Sequence, residues 1–135
     1  MNKKVLVVDD DPDAREIVRF VLEAEGYEVI EAEDGQMGVE MVRSLNPDLV
    51  IMDMMMPRKD GFVACMELKK DPYLSKTPVI MLSGIEDHVR GETASRNIQS
   101  GLLADVYMAK PIEPAKFLQA VSDLLASWPK KNSKG

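Results

Sequence analysis

The chain has 135 residues, 45% of them hydrophobic and 30% charged, which fits one soluble domain and leaves no room within it for a second catalytic one. With 17 basic against 23 acidic side chains the net charge is −6, which argues against nucleic acid as the direct partner. One cysteine, Cys65, and one histidine, His88, exclude an internal disulfide and a structural zinc site, so a cytoplasmic setting is expected. Nothing near the N-terminus reads as a signal peptide, and no apolar run is long enough to span a membrane.

Val5-Leu6-Val7-Val8 is a short apolar run closed by Asp9-Asp10-Asp11, which suits a strand buried on both faces. Asp11 followed by Pro12 is a helix start, with Ile17, Phe20, Val21 and Ala24 at helical spacing and Gly26 as the stop. Tyr27 to Ala32 reads as a second strand, and Asp34 caps a helix with Met37, Met41 and Leu45 on one face, ended by Asn46-Pro47. Leu49-Val50-Ile51-Met52 is the third strand, closed by Asp53. A proline- and glycine-containing loop then leads into a helix with Phe62, Cys65, Met66 and Lys69 on one side, where Cys65 is expected to be a small buried packing group. Val79 to Leu82 is the fourth strand, ending at Ser83-Gly84. The segment from Glu86 to Ser100 is only loosely periodic and is assigned as helix. Val106 to Ala109 is the fifth strand, followed by Lys110. Pro114 opens a last helix striped by Phe117, Val121, Leu124, Leu125 and Trp128. The domain is placed at 1–128, with a basic flexible tail over 129–135 that carries Lys130, Lys131 and Lys134 and no acid.

Strands alternating with helices imply an α/β fold with a five-stranded parallel sheet and helices on both faces. In such sheets ligands bind beyond the carboxyl ends of the strands. The closing residues are Asp9 and Asp10, Asp53, Ser83 and Lys110, from strands one, three, four and five; strand two closes in Ala32 and Glu33, which offer nothing comparable. A sheet order of 2-1-3-4-5 would set those four ends side by side. Three carboxylates without histidine or cysteine favour Mg²⁺, or a similar hard ion such as Mn²⁺, over zinc. The lysine supplies a point charge for a phosphoryl oxygen and the serine a hydroxyl donor. The set is suited to bringing a phosphoryl group to a carboxylate, with Asp53 as the nucleophile.

Val7-Val8-Asp9-Asp10, Asp53-Met54-Met55-Met56-Pro57-Arg58-Lys59-Asp60-Gly61, Ser83-Gly84 and Lys110-Pro111 together resemble the motif set of bacterial response-regulator receiver domains, of the chemotaxis-regulator type and with a flavodoxin-like sheet. The resemblance covers nearly the whole chain in family order. It implies that Asp53 accepts phosphate from a histidine kinase or a histidine phosphotransfer protein. It also implies that Asp10 and Asp53 ligate Mg²⁺, with Asp9 acting through water and the Met55 backbone carbonyl as a further ligand. Ser83 and Lys110 would bind the phosphoryl oxygens, Tyr107 would be the switch aromatic, and the Lys110-Pro111 bond would be cis. On this reading the protein is a signalling switch with weak chemistry of its own rather than an enzyme. It would act on a downstream effector protein as a monomer or weak dimer. Three rivals remain: a pseudo-receiver that is never phosphorylated; a phosphoaspartate-type phosphatase, which Met55 in place of the second acid of D-x-D disfavours; and a flavodoxin-like cofactor carrier, whose phosphate-cradling loop after strand one would meet three repelling aspartates.

The stretch between Ser83 and Lys110 is longer than the family's usual spacing. Met55 and Ile85, two positions beyond the acceptor and the hydroxyl, are both apolar. Neither can orient a water by a strong hydrogen bond, so a long-lived phosphoaspartate is expected.

Overall fold

The computed structural model describes residues 2–54, 56, 60–84 and 104–127. The helix expected over Glu86 to Ser100 lies outside them, as do Met55, Ile85, His88, Trp128 and the tail at 129–135.

Five strands, β1 (Lys4–Val8), β2 (Glu28–Ala32), β3 (Leu49–Asp53), β4 (Val79–Ser83) and β5 (Val106–Ala109), form one sheet. Every pairing is parallel and the order is β2-β1-β3-β4-β5. The helices are α1 (Pro12–Ala24), α2 (Gly35–Leu45), α3 (Gly61–Lys70) and α4 (Pro114–Ser127), with a 3₁₀ turn at Leu74–Lys76. Side chains alternate across a strand, and the core divides accordingly. Leu6, Val8, Val50, Met52, Val79 and Met81 pack with Val39 and Val42 of α2 and with Ala64, Cys65 and Leu68 of α3. Val5, Val7, Leu49, Ile51, Ile80 and Leu82 pack with Val18 and Leu22 of α1 and with Phe117 and Val121 of α4. Helices therefore cover both faces, and the central strands are apolar throughout because neither face meets water.

The element starts follow local chemistry. The carboxylates of Asp11, Asp34 and Asp60 accept the N–H groups of Asp13, Met37 and Val63, so each of the first three helices opens on an aspartate cap.

The buried faces of α1 and α2 differ from the sequence expectation, while Cys65 of α3 is buried as expected. On α1 the core side is Val18 and Leu22, while Ile17 and Phe20 are 58% and 74% exposed. On α2 it is Val39 and Val42, with Met37 and Leu45 exposed. On α3 it is Ala64, Cys65 and Leu68, with Phe62, Met66 and Lys69 only partly covered. Successive helical residues are offset by about 100°, so the core side of α1 and α2 lies one residue around from the expected stripe. Arg15 and Arg19 tie α1 to Glu31 of β2. Gly38 lets α2 approach β1, where a Cβ would sit 3.0 Å from Val8 Cγ2. Gly61 brings the start of α3 against the end of β3, where a Cβ would overlap the Asp53 carbonyl.

Candidate functional site

The strand ends meet where the topology places them. Asp53 closes β3 and is 5% exposed; Asp9 follows β1 and is 2% exposed; Asp10 beside it is exposed. One carboxylate oxygen from each of the three lies within 4.8 Å of the others. Lys110, just past β5, reaches in from the other side, its Nζ 2.8 Å from Asp53 Oδ1 and 3.3 Å from Asp9 Oδ2. Its backbone N–H donates to the Ser83 carbonyl at 2.8 Å, which joins the last residue of β4 to the lysine. The Lys110-Pro111 peptide bond is cis.

Burial is the main cause that raises the Asp53 pKa to about 6; the neighbouring charges of Asp9 and Asp10 add to it, and the Lys110 ammonium works against it. Burial also opposes the charge on Lys110, but its contacts with Asp53 and Asp9 outweigh that and hold its pKa above the usual lysine value. Three carboxylates against one ammonium leave the pocket with excess negative charge. An all-oxygen donor set of this kind fits a hard divalent cation such as Mg²⁺.

Local backbone contacts set the position of Asp53. The Met54 N–H donates to the Leu82 carbonyl and the Met54 carbonyl accepts from Gly61 N–H, both at 2.9 Å. Gly61 is required there by its lack of a Cβ, and Asp60 before it caps the helix. The Asp53 to Gly61 motif thus closes a strand at one end and starts a helix at the other.

Tyr107, on β5, is half-buried against the α2–α3 side of the core. Burial pushes its hydroxyl up to about 12, and the hydroxyl oxygen accepts the Ala104 N–H at 3.2 Å. The Met55 carbonyl lies outside the described residues.

Sequence reading missed Arg15 and Glu31. The Arg15 guanidinium donates to the Asp9 carbonyl at 2.7 Å and to Glu31 Oε1 at 2.9 Å. Strand two, passed over because its closing residues carry nothing comparable, therefore reaches the acid pair through Glu31. The available signal was spacing: Arg15 lies one helical turn beyond the Asp11 cap, and helical side chains lean back toward the N-terminus.

The sequence matches the response regulator receiver domain family over residues 5–122. Among curated relatives, the DNA-binding dual master transcriptional regulator RpaA of Synechocystis is 37% identical over 125 residues, covering 90% of this chain and 48% of that protein. The chain spans about half the length of the curated relatives it matches. Among solved structures, a putative response regulator from Chloroflexus aurantiacus is 30% identical with a TM-score of 0.79, covering 93% of this chain and 99% of that one. The receiver domain of a Pseudomonas aeruginosa sensor histidine kinase, whose active-site cleft coordinates a magnesium ion, shares the fold at a TM-score of 0.83 and 23% identity, covering 94% of this chain and 100% of that one.

Proposed function

The chain belongs to the response-regulator receiver domain family, and from that premise we propose that it is a phosphoacceptor of a two-component relay, taking a phosphoryl group on Asp53 from a histidine kinase or a histidine phosphotransfer protein. The observation that carries this reading is the buried Asp53 carboxylate, paired with Lys110 Nζ at 2.8 Å and faced by two further carboxylates.

Asp53 attacks the phosphorus; the phosphorus–nitrogen bond to the donor imidazole breaks, and its electron pair stays on the imidazole nitrogen. A carboxylate whose pKa is about 6 is mostly ionised at pH 7.5 and ready to act as the nucleophile. Asp9, Asp10 and Asp53, with the Met55 carbonyl, would hold Mg²⁺, or Mn²⁺ in its place, which when bound neutralises charge on the phosphoryl oxygens. Lys110 gives up part of its pairing with Asp53 and takes a phosphoryl oxygen. The Ser83 hydroxyl donates to another, and Tyr107, whose hydroxyl accepts the Ala104 N–H, changes rotamer as β4 and β5 adjust. Positioning and charge neutralisation supply most of the rate, as in phosphoryl transfer generally.

The groove beside the site is lined by Ala14, Ile17 and Val18 of α1 and by Lys110, Pro111 and Ile112. Ile17 and Phe20 form an exposed apolar ridge at its edge, an entry suited to a protein donor. The receiver is assigned to 1–128 with 129–135 as a basic tail, and it acts as a switch on an effector protein. Among the described residues no helix is long and apolar enough to cross a membrane, and the assignment is to the cytoplasm, where a kinase would supply the phosphoryl group.

The test is incubation with acetyl phosphate and Mg²⁺, followed by intact-mass and peptide mapping. One base-labile phosphoryl group on Asp53, absent from Asp53→Asn and in the presence of EDTA, is expected. An unmodified chain at full folding would favour a pseudo-receiver instead.

A further inference from the structure

We propose that Arg15, braced by Glu31, is a positioning residue for the acidic cluster, fixing the Asp9–Asp10 turn and so setting the affinity of Asp9, Asp10 and Asp53 for a divalent cation without ligating it. The inference rests on the cation-site reading given above.

Asp10 is exposed, so burial of its own side chain does not hold it against the repulsion of Asp9 and Asp53. The turn that carries it is instead pinned through Asp9. The Asp9 N–H donates to the Ala32 carbonyl at 3.1 Å, its Oδ1 accepts the Asp11 N–H at 3.0 Å, and its carbonyl accepts Arg15 Nη1 at 2.7 Å. The first two bonds are made from within the sheet and the turn. The third comes from a charged side chain that is only 14% exposed, and charge-assisted bonds of this length are the strong ones. Arg15 is itself held: Nε meets Glu31 Oε1 at 2.9 Å, while Glu31 Oε2 is taken by Arg19 at 2.8 Å, and Arg19 also reaches Glu23. A planar guanidinium can span a carboxylate on β2 and a backbone carbonyl after β1 at once; an ammonium presents one point charge. Partners one step removed from the ligands orient metal sites in this way.

A second physical effect has the opposite sign. A fixed positive charge beside the cluster repels a cation, and Glu31 offsets part of that charge. If Arg15 acted through its charge alone, removing it would tighten cation binding. If it acts by holding the turn, removing it weakens binding.

Magnesium chloride is titrated into the full chain without any phosphodonor, following heat and amide shifts, at a temperature well below unfolding; melting in EDTA checks each variant's fold. Wild type is expected to bind and Asp10→Asn to lose binding; failure of either overturns the cation site itself and leaves nothing for Arg15 to position. Given that site, Arg15→Met is expected to weaken Mg²⁺ binding about tenfold, and Arg19→Met, which cuts only the outer brace, to leave it unchanged. Arg15→Lys keeps the charge and is also expected to bind more weakly, which carries the test should Arg15→Met fail to fold. Unchanged or tighter binding in Arg15→Met, or wild-type affinity in Arg15→Lys, would overturn the proposal.

Discussion

On the proposed function Asp53 meets two opposing demands, because a carboxylate acting as nucleophile must be ionised while the strand end that positions it removes it from water. Burial lifts its pKa from 3.8 to about 6. A carboxyl group raised in this way favours folding below its unfolded pKa, and that contribution is lost as pH rises through about 6. In EDTA, Asp53→Asn, which cannot ionise, should therefore match wild type in stability near pH 4 and exceed it by about 1–3 kcal/mol at pH 7.5. Urea unfolding at the two pH values reads this; an equal difference at both would contradict it. Met55 and Ile85, outside the described residues, bear on the other end of the cycle. With two apolar side chains at those positions, hydrolysis of the phosphoaspartate should be slow. Met55→Asn together with Ile85→Glu should shorten its half-life in a dephosphorylation time course, and an unchanged half-life would remove the argument. The convergence of the strand ends was legible from the sequence, since Asp9, Asp53, Ser83 and Lys110 each close an apolar run and the fold rule for parallel sheets brings such ends together. Arg15 was not, because its bond to the Asp9 carbonyl depends on how α1 is rotated and on the reach of Glu31 from a neighbouring strand.

At the scale of the elements, the existence and order of the strands and of the described helices followed from apolar runs and aspartate caps, and so did the face of α4, where Phe117 and Val121 are buried; the faces of α1 and α2 did not. Ile17 and Phe20 have the same spacing as a core stripe, yet Val18 and Leu22 face the sheet, and Arg15 and Arg19 of the same helix pair with Glu31 of β2. Leu22→Ala should cost about 2–5 kcal/mol, the usual range for a buried leucine. Phe20→Ala, at an exposed position, should stay within about 0.5 kcal/mol. Comparable losses in chemical denaturation would return Phe20 to the core. Gly61 makes a sharper demand. A methyl group there meets the Asp53 carbonyl, so Gly61→Ala must push the start of α3 or the end of β3 aside. A loss of about 1–3 kcal/mol is expected, with slower phosphorylation by acetyl phosphate than the loss of folded protein explains. Wild-type kinetics in the folded variant would show that the strand end tolerates the shift.

Across the whole molecule, the parallel order β2-β1-β3-β4-β5 gathers one chemical group from each of several distant segments and leaves the helices free to present surfaces. The acidity noted from composition has a focus in three carboxylates at one rim of the sheet, faced by Lys110. The chain itself offers a site and a set of faces, and since its relatives are about twice its span, what reads the phosphorylated state is a matter of partner or further domain. The account depends most on Asp53 being the acceptor. It is tested most directly by mass mapping after treatment with acetyl phosphate and Mg²⁺: a single phosphoryl group on Asp53, lost in Asp53→Asn, is the predicted result, and a folded wild-type chain that stays unmodified or is modified elsewhere would contradict it.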